Sequence, residues 1–171
     1  MATATESSPC LDCGMCCDGT LYSFVYLKGS ERLKADKLGT TRKEVDGKPV
    51  FLEPCPALSG TACTIYADRF HTCRTYRCAT LKALDEGGID HGEAMRRIHV
   101  ARTAEAQVRA LLAPGETLQS AREAWANEPD TQRATPEGAR IHLLMTALEM
   151  LLSRYFRQSG EQRLPFADRP E

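Results

Sequence analysis

Eight cysteines carry most of the chemistry that this sequence of 171 residues offers, and all of them lie between positions 10 and 78. Four form the run Cys10-x2-Cys13-x2-Cys16-Cys17, and the second block comprises Cys55, Cys63, Cys73 and Cys78. A two-residue spacer lets two sulfurs reach one ion, and the glycine after Cys13 permits the turn that points backbone N–H groups toward thiolates. We therefore expect all eight cysteines to be metal ligands.

The adjacent pair Cys16 and Cys17 bears on how the sulfurs are divided. Neighbouring side chains in extended backbone point to opposite sides, so the two serve one tetrahedral ion poorly. We expect them to face two different ions or to bridge a binuclear centre. The run resembles the start of a bacterial ferredoxin motif, but Thr20 stands where the fourth cysteine would be. The spacing alone does not group the eight sulfurs.

Basic residues are interleaved with the second cysteine block. A tetrathiolate site with a divalent ion is negatively charged and needs cations or N–H donors around it. Arg69 and Arg74 are the predicted residues for this role, with Arg77 a further candidate. His71 could replace one sulfur, although eight cysteines already suffice for two sites.

The overall composition limits the other function classes. With 22 Lys and Arg against 23 Asp and Glu, the net charge is −1, so the basic surface that nucleic-acid binding requires is not expected. No apolar run of 18 residues predicts a membrane span. The polar start of the chain has no signal-peptide character, which favours a reducing cytoplasmic location and free thiols over disulfides.

The pattern along the chain predicts a disordered leader over 1–9, a cysteine-cluster region over 10–88, a helical region over 89–160 and a tail over 161–171. In the cysteine region we expect a strand over 21–27, a helix from Ser30 to Leu38, and a hairpin turning at Asp46-Gly47. A short strand at 64–66 and a helix over 74–84 should follow.

Three helices are predicted in the second half. The first begins at Asp90, which with Glu93 has the pattern of a capping box, and runs to about residue 113. The second covers 118–126. The third starts with Thr135 as N-cap and Pro136 at the first helical position, and extends to about residue 159. Its apolar stripe predicts core packing and comprises Ile141, Leu144, Met145, Leu148, Leu151, Leu152, Tyr155 and Phe156.

The two cysteine blocks together resemble the CxxCxxCC cysteine-cluster family, also called YkgJ-type. The resemblance rests on Cys10-x2-Cys13-Gly14-x-Cys16-Cys17 and on the later run Cys63-Thr-Ile-Tyr-x-x-Arg69-x3-Cys73-Arg-x-Tyr-x-Cys78, and it covers roughly residues 10–80. It implies a zinc- or iron-chelating domain, and a similar cluster in flagellin lysine methylases implies iron–sulfur chemistry. Phe70 departs from the family pattern, which has proline after the arginine.

These observations predict an α+β fold: a small, loop-rich, metal-stapled cysteine region with short strands, followed by about three packed helices. The expected function is cytoplasmic metal binding, with zinc or iron, including an iron–sulfur cluster, as the cofactor and two ions or a binuclear site. The alternatives are an iron–sulfur redox or accessory enzyme and a thiol–disulfide switch. The expected partners are metal ions and a protein, not nucleic acid or a membrane.

Overall fold

The structure is a computed structural model that describes residues 8–127, 131 and 134–158. It has the expected mixed α+β architecture, with short strands in the first half and packed helices in the second. Three strands, β1 (Phe24–Tyr26), β2 (Arg42–Val45) and β3 (Lys48–Leu52), form an antiparallel sheet of order β1-β3-β2. A separate two-stranded hairpin pairs β4 (Leu58–Ser59) with β5 (Ala62–Cys63).

The predicted hairpin at Asp46-Gly47 is confirmed. It joins β2 to β3, and both turn residues adopt the left-handed conformation, with φ of 51° and 69°. This is the geometry that tight antiparallel hairpins require. The predicted strand over 21–27 is present in its central part as β1.

The helices of the cysteine region differ from the sequence prediction. They are α1 (Pro9–Cys13), α2 (Arg32–Lys37), α3 (His71–Thr75) and α4 (Ala79–Asp85). The predicted cap at Ser30 is wrong, because a 3-10 turn over Gly29–Glu31 precedes α2. The strand predicted at 64–66 is also wrong, since a 3-10 turn occupies Tyr66–Asp68. The helix predicted over 74–84 is interrupted by extended backbone at Tyr76 and Cys78.

The three predicted C-terminal helices are present as α5 (His91–Arg109), α6 (Leu118–Asn127) and α7 (Pro136–Tyr155). Asp90 caps α5 by accepting from the Glu93 N–H at 2.7 Å, but the Glu93 side chain binds arginines of its own helix instead of closing a capping box. Thr135 caps α7 through the Gly138 N–H at 3.0 Å. Helix α7 ends at Tyr155, before the predicted end.

Two hydrophobic clusters hold these elements together. The first joins Met15 and Leu21 of the cysteine loop to α5, α6 and α7, and the predicted stripe of α7 contributes Met145, Leu148, Leu152 and Phe156 to it. The second cluster lies within the cysteine region and contains Val25, Leu27, Ala35, Phe51, Cys55, Ala57 and Phe70. The helical half therefore packs directly on the cysteine loop, while the predicted boundary between residues 88 and 89 stays a prediction.

Two predictions concern the ends of the chain: the leader over 1–9 and the tail over 161–171. Residues 1–7 of the predicted leader and the tail over 161–171 lie outside the described residues. Pro9, assigned to the leader, is the buried first residue of α1. Among the described residues, none of the helices combines the length and apolar character needed to span a membrane.

Candidate metal centre

A short helix and a tight turn position the first cysteine block. Helix α1 carries Cys10 and Cys13 and ends at Gly14, whose φ is 66° and whose N–H donates to the Cys10 carbonyl at 3.3 Å. The Cys17 N–H then donates to the Gly14 carbonyl at 2.8 Å, which closes the turn. A Cβ at position 14 would lie 2.9 Å from the Thr61 carbonyl oxygen, so only glycine allows the β4–β5 hairpin to approach this turn.

The second cysteine block comes from four different local structures. Cys55 lies in the loop after β3, and its N–H donates to the Cys17 carbonyl at 2.7 Å. Cys63 is in β5 and Cys73 is in α3. Cys78 is the N-cap of α4, where its sulfur accepts from the Leu81 N–H at 3.4 Å. The break between α3 and α4 therefore places Cys73 and Cys78 on separate elements.

Four of the eight sulfurs form what we call the first set: Cys10, Cys13, Cys16 and Cys78. Burial, and then the charges of Cys78 and Cys10, raise the pKa of the Cys13 thiol to about 12. The pKa of Cys16 is raised well above its usual value, by burial and then by Cys13, Cys78, Cys17 and Cys10. Cys13, Cys16 and Cys78 all pack against the first hydrophobic cluster.

The second set consists of Cys17, Cys55, Cys63 and Cys73. Burial raises the pKa of Cys17, followed by the charges of Glu53, Cys55, Cys73 and Cys63. Burial also raises the pKa of Cys73 to about 12 and that of Cys55 to about 11, and Cys63 acts on both. Cys55 belongs to the second hydrophobic cluster, and Cys17 and Cys73 pack against it. The adjacent residues Cys16 and Cys17 thus contact different clusters.

All eight cysteines are free thiols, and burial raises the pKa of Cys13, Cys16, Cys17, Cys55 and Cys73. Among the described residues, no group of three or more Cys, His, Asp or Glu side chains already has an arrangement that holds a metal ion. The donor chemistry of each set nevertheless suits a tetrathiolate site, since soft sulfur ligands select zinc and iron. Metal binding has to displace the thiol protons and turn the sulfurs inward.

Two ionisable side chains that flank the second set each have a buried polar atom without a hydrogen bond. Burial, and then the charge of Asp18, raise the pKa of Glu53 to about 9, although a backbone hydrogen bond from Cys55 lowers it. Its Oε2 atom is buried and receives no hydrogen bond. Arg69, predicted to lie near the thiolates, lowers the pKa of Cys73 and stacks on the Tyr66 ring with its Cζ 3.6 Å from the ring centroid. Its Nε is likewise buried and makes no hydrogen bond.

The other basic candidates, Arg74, Arg77 and His71, each interact with a carboxylate. Arg74 is exposed and acts on the carboxyl of Asp68, whose pKa is lowered chiefly by its hydrogen bond from Lys34. Arg77 pairs with Asp85 at 3.2 Å. His71 begins α3, and its backbone N–H donates to Glu31 at 2.6 Å.

The loop after Cys17 is fixed to the helical half by buried charges. Thr20 donates to Glu105 at 2.7 Å, and Glu105 also accepts from Arg102 at 2.7 Å and from Arg109 at 2.6 Å. Arg102 pairs with Asp18 as well. Helix α5 therefore holds residues 18–20 through a network that reaches the residue next to Cys17.

Arg122 of α6 is completely buried and holds the same loop from the other side. It donates to the carbonyl of Thr20 at 2.6 Å and to that of Gly19 at 3.2 Å, and it pairs with Glu149 of α7 at 2.7 Å. Glu149 also pairs with Arg157 at 2.8 Å. Three helices thus converge on the turn that carries the last two cysteines of the first block.

A cavity of about 660 Å³ lies between the two cysteine sets. Seven of the eight cysteines line it, Cys55 being the exception, together with Glu53 and Arg69. The remaining wall is largely aromatic and apolar, and it includes the hydrogen-bonded hydroxyls of Tyr22 and Tyr76.

The comparisons with known proteins identify the class of this chain. Residues 9–105 match the family model CxxCxxCC, described as a putative zinc- or iron-chelating domain. The match covers more than half of the sequence, so the chain belongs to this family. It extends beyond the range of about 10–80 read from the motifs and includes most of α5. No curated protein and no solved structure matches the chain.

Phe70, the departure from the family pattern, has a structural role in this chain. It is 1% exposed, and its ring centroid lies 4.9 Å from that of Phe51 in the second hydrophobic cluster. The residue after Arg69 thus anchors the turn before Cys73 to the sheet.

Sequence reasoning missed Glu53 and the arginine network. Glu53 follows the apolar run Val50-Phe51-Leu52, which is the signal that could have indicated its partial burial. Arg122 follows the buried Ala121 and lies one turn after the buried Leu118 on α6, and that position is the signal that could have indicated a buried charge.

Proposed function

We propose that this chain is a metal-binding protein in which the eight cysteines chelate two ions of zinc or iron, one in each set. The observation that supports the proposal is that Cys16 packs against the first hydrophobic cluster and Cys17 against the second, which favours a division of the sulfurs into four and four. This division leaves no thiol unused. It also matches the divergence of neighbouring side chains.

Local charges support the same proposal. Four thiolates around a divalent ion leave a net charge of −2, and cations near the sulfurs offset it. Arg69 acts on Cys73 and is the cation that we assign to the second site. Arg74 is exposed, so its contribution should be smaller.

Four thiolates suit both zinc and an iron–sulfur cluster, so the ligands alone do not decide which of the two the protein binds. An iron–sulfur redox or accessory enzyme remains the second candidate, and the cavity that borders both sets favours it, because a substrate there would lie beside both centres. The free thiols support a reducing compartment, and we propose the cytoplasm.

The first experiment is metal analysis with an absorption spectrum on protein purified without oxygen. We expect about two equivalents of zinc with no visible colour, or iron with the brown absorption of a cluster. Less than about half an equivalent of any transition metal would refute chelation. A sample with four disulfides would refute it as well.

The grouping is tested by pairs of cysteine substitutions. The same-set double variant C16S/C78S should lose one of the two centres, and the cross-set variant C16S/C73S should lose both. The single variants C16S and C17S should each lose a different centre. Ser59→Ala, on the exposed part of β4, is the control and should keep full metal content. Equal losses in the two double variants would contradict the four-plus-four division.

A further inference from the structure

The cavity between the cysteine sets is larger than metal ligation requires. Its volume of about 660 Å³ lies in the range of small-molecule sites. Six aromatic side chains contribute to its wall: Tyr22, Phe24, Tyr26, Tyr66, Tyr76 and Phe156. Thiolate ligands need no such surface, whereas aromatic walls with a few polar groups are typical of sites for organic molecules.

One acidic and one basic side chain that line this cavity each have a buried polar atom without a hydrogen bond. The Oε2 atom of Glu53 and the Nε atom of Arg69 are both buried, and neither takes part in a hydrogen bond. Both groups act on the thiol of Cys73, so both lie near the same sulfur. Among the described residues, neither side chain forms an ion pair. Buried polar atoms without partners are rare in folded proteins, and each one indicates a missing ligand or water.

We propose that the cavity binds a small zwitterion of amino-acid type, with its carboxylate on Arg69, its ammonium on Glu53 and an apolar body against the aromatic wall. The inference rests on the proposed function, because the site is the space left between two metal-bearing cysteine sets. The arginine fork is suited to a carboxylate. The carboxyl of Glu53 is suited to an ammonium, because an ammonium carries the opposite charge and can donate to the unpaired Oε2 atom.

A ligand with a single charge would satisfy only half of this site. An anion would pair with Arg69 but would lie among thiolates and leave Glu53 without a partner. A cation would pair with Glu53 but would compete with Arg69 for the same negative surroundings. A zwitterion is neutral overall and pairs both groups, so it avoids the cost of adding net charge to a buried cavity.

Three probes with the same apolar body separate these possibilities: phenylalanine, phenethylamine and 3-phenylpropanoate. Binding is measured by calorimetry on metal-loaded protein of known metal content. We expect phenylalanine to bind at least tenfold more tightly than either analogue, because each analogue lacks one charge-assisted hydrogen-bonding group. Equal affinity for all three probes would overturn the assignment, and so would binding by none of them.

Two variants that each remove one charge assign each charge to its partner. Glu53→Gln should weaken phenylalanine roughly ten- to a hundredfold and leave 3-phenylpropanoate unchanged. Arg69→Gln should weaken phenylalanine to a similar extent and leave phenethylamine unchanged. The matched controls Glu44→Gln and Lys43→Gln remove the same charges from the exposed strand β2 and should change nothing.

Metal content measured on the same samples separates the two proposals. Full metal content with no phenylalanine binding overturns only the cavity assignment. Phenylalanine binding by protein that takes up no metal overturns chelation and leaves the cavity assignment in place. A variant at Glu53 or Arg69 that loses metal and keeps phenylalanine affinity would show that its side chain serves the metal site, and would overturn the inference.

Discussion

Replacing Arg122 by methionine tests the buried link between the helical half and the cysteine loop. The arginine is 0% exposed and makes three contacts, to the carbonyls of Gly19 and Thr20 and to Glu149, at 2.6 to 3.2 Å. Its removal leaves two carbonyls without donors and leaves Glu149 with Arg157 as its other ion-pair partner. Breaking such a buried pair from one side costs about 3 to 5 kcal/mol.

That loss is a large part of the total stability of a typical domain, which is about 5 to 15 kcal/mol. Urea unfolding of the metal-loaded protein, followed by circular dichroism, measures it as a shift of the transition midpoint. The control is Arg140→Met on the exposed face of α7, a substitution of the same type that we expect to stay within about 0.5 kcal/mol of the parent. A shift at Arg122 no larger than the control would refute the reasoning, because it would mean that water or a neighbour replaces the guanidinium without cost.

Three further outcomes are expected. Gly14→Ala should destabilise the protein by about 2 kcal/mol or more in the same unfolding assay, because residue 14 has a left-handed φ and its Cβ would contact Thr61. The control is Gly60→Ala, which has a similar φ of 61° but open space around the new Cβ and should cost less. In metal-loaded protein, in which residues 10–78 are folded, burial holds the pKa of Glu53 above its unfolded value of about 4.5, so stability should fall as the pH rises from there toward about 9, and Glu53→Gln should flatten that fall. Complete removal of metal should abolish amide protection over residues 10–78 while α5 and α7 keep theirs, and unchanged protection of the cysteine region would contradict this.

Local sequence signals predicted the elements whose structure is decided locally. The turn at Asp46-Gly47 and the caps at Asp90 and Thr135 depend on one to four residues, and all three are present. The cysteine loops were predicted less well. The strand expected at 64–66 is absent, because residues 64 and 65 form a turn that leads into the 3-10 turn at Tyr66–Asp68. Extended backbone at Tyr76, whose hydroxyl donates to the distant Phe156 carbonyl, separates two helices.

The candidate site shows the same division between local and distant information. The cysteines identified it, and the divergence of Cys16 and Cys17 predicts two centres, which stays a prediction. Which of the later cysteines groups with Cys16, and which with Cys17, depends on tertiary packing, and the spacing of the cysteines does not encode that packing. The unpaired Oε2 atom of Glu53 likewise follows from the path of the chain after β3, which local sequence does not specify.

The position of Cys16 and Cys17 has a consequence for the order in which the proposed sites fill. A metal in the first set closes the chain between Cys16 and Cys78, and a metal in the second set closes it between Cys17 and Cys73, so one closed loop is nested inside the other. Most of the entropy of bringing distant segments together is lost when either loop closes. The second ion then meets ligands at a high effective concentration. Loading should therefore be cooperative, with half-filled protein scarce in a titration followed by native mass spectrometry.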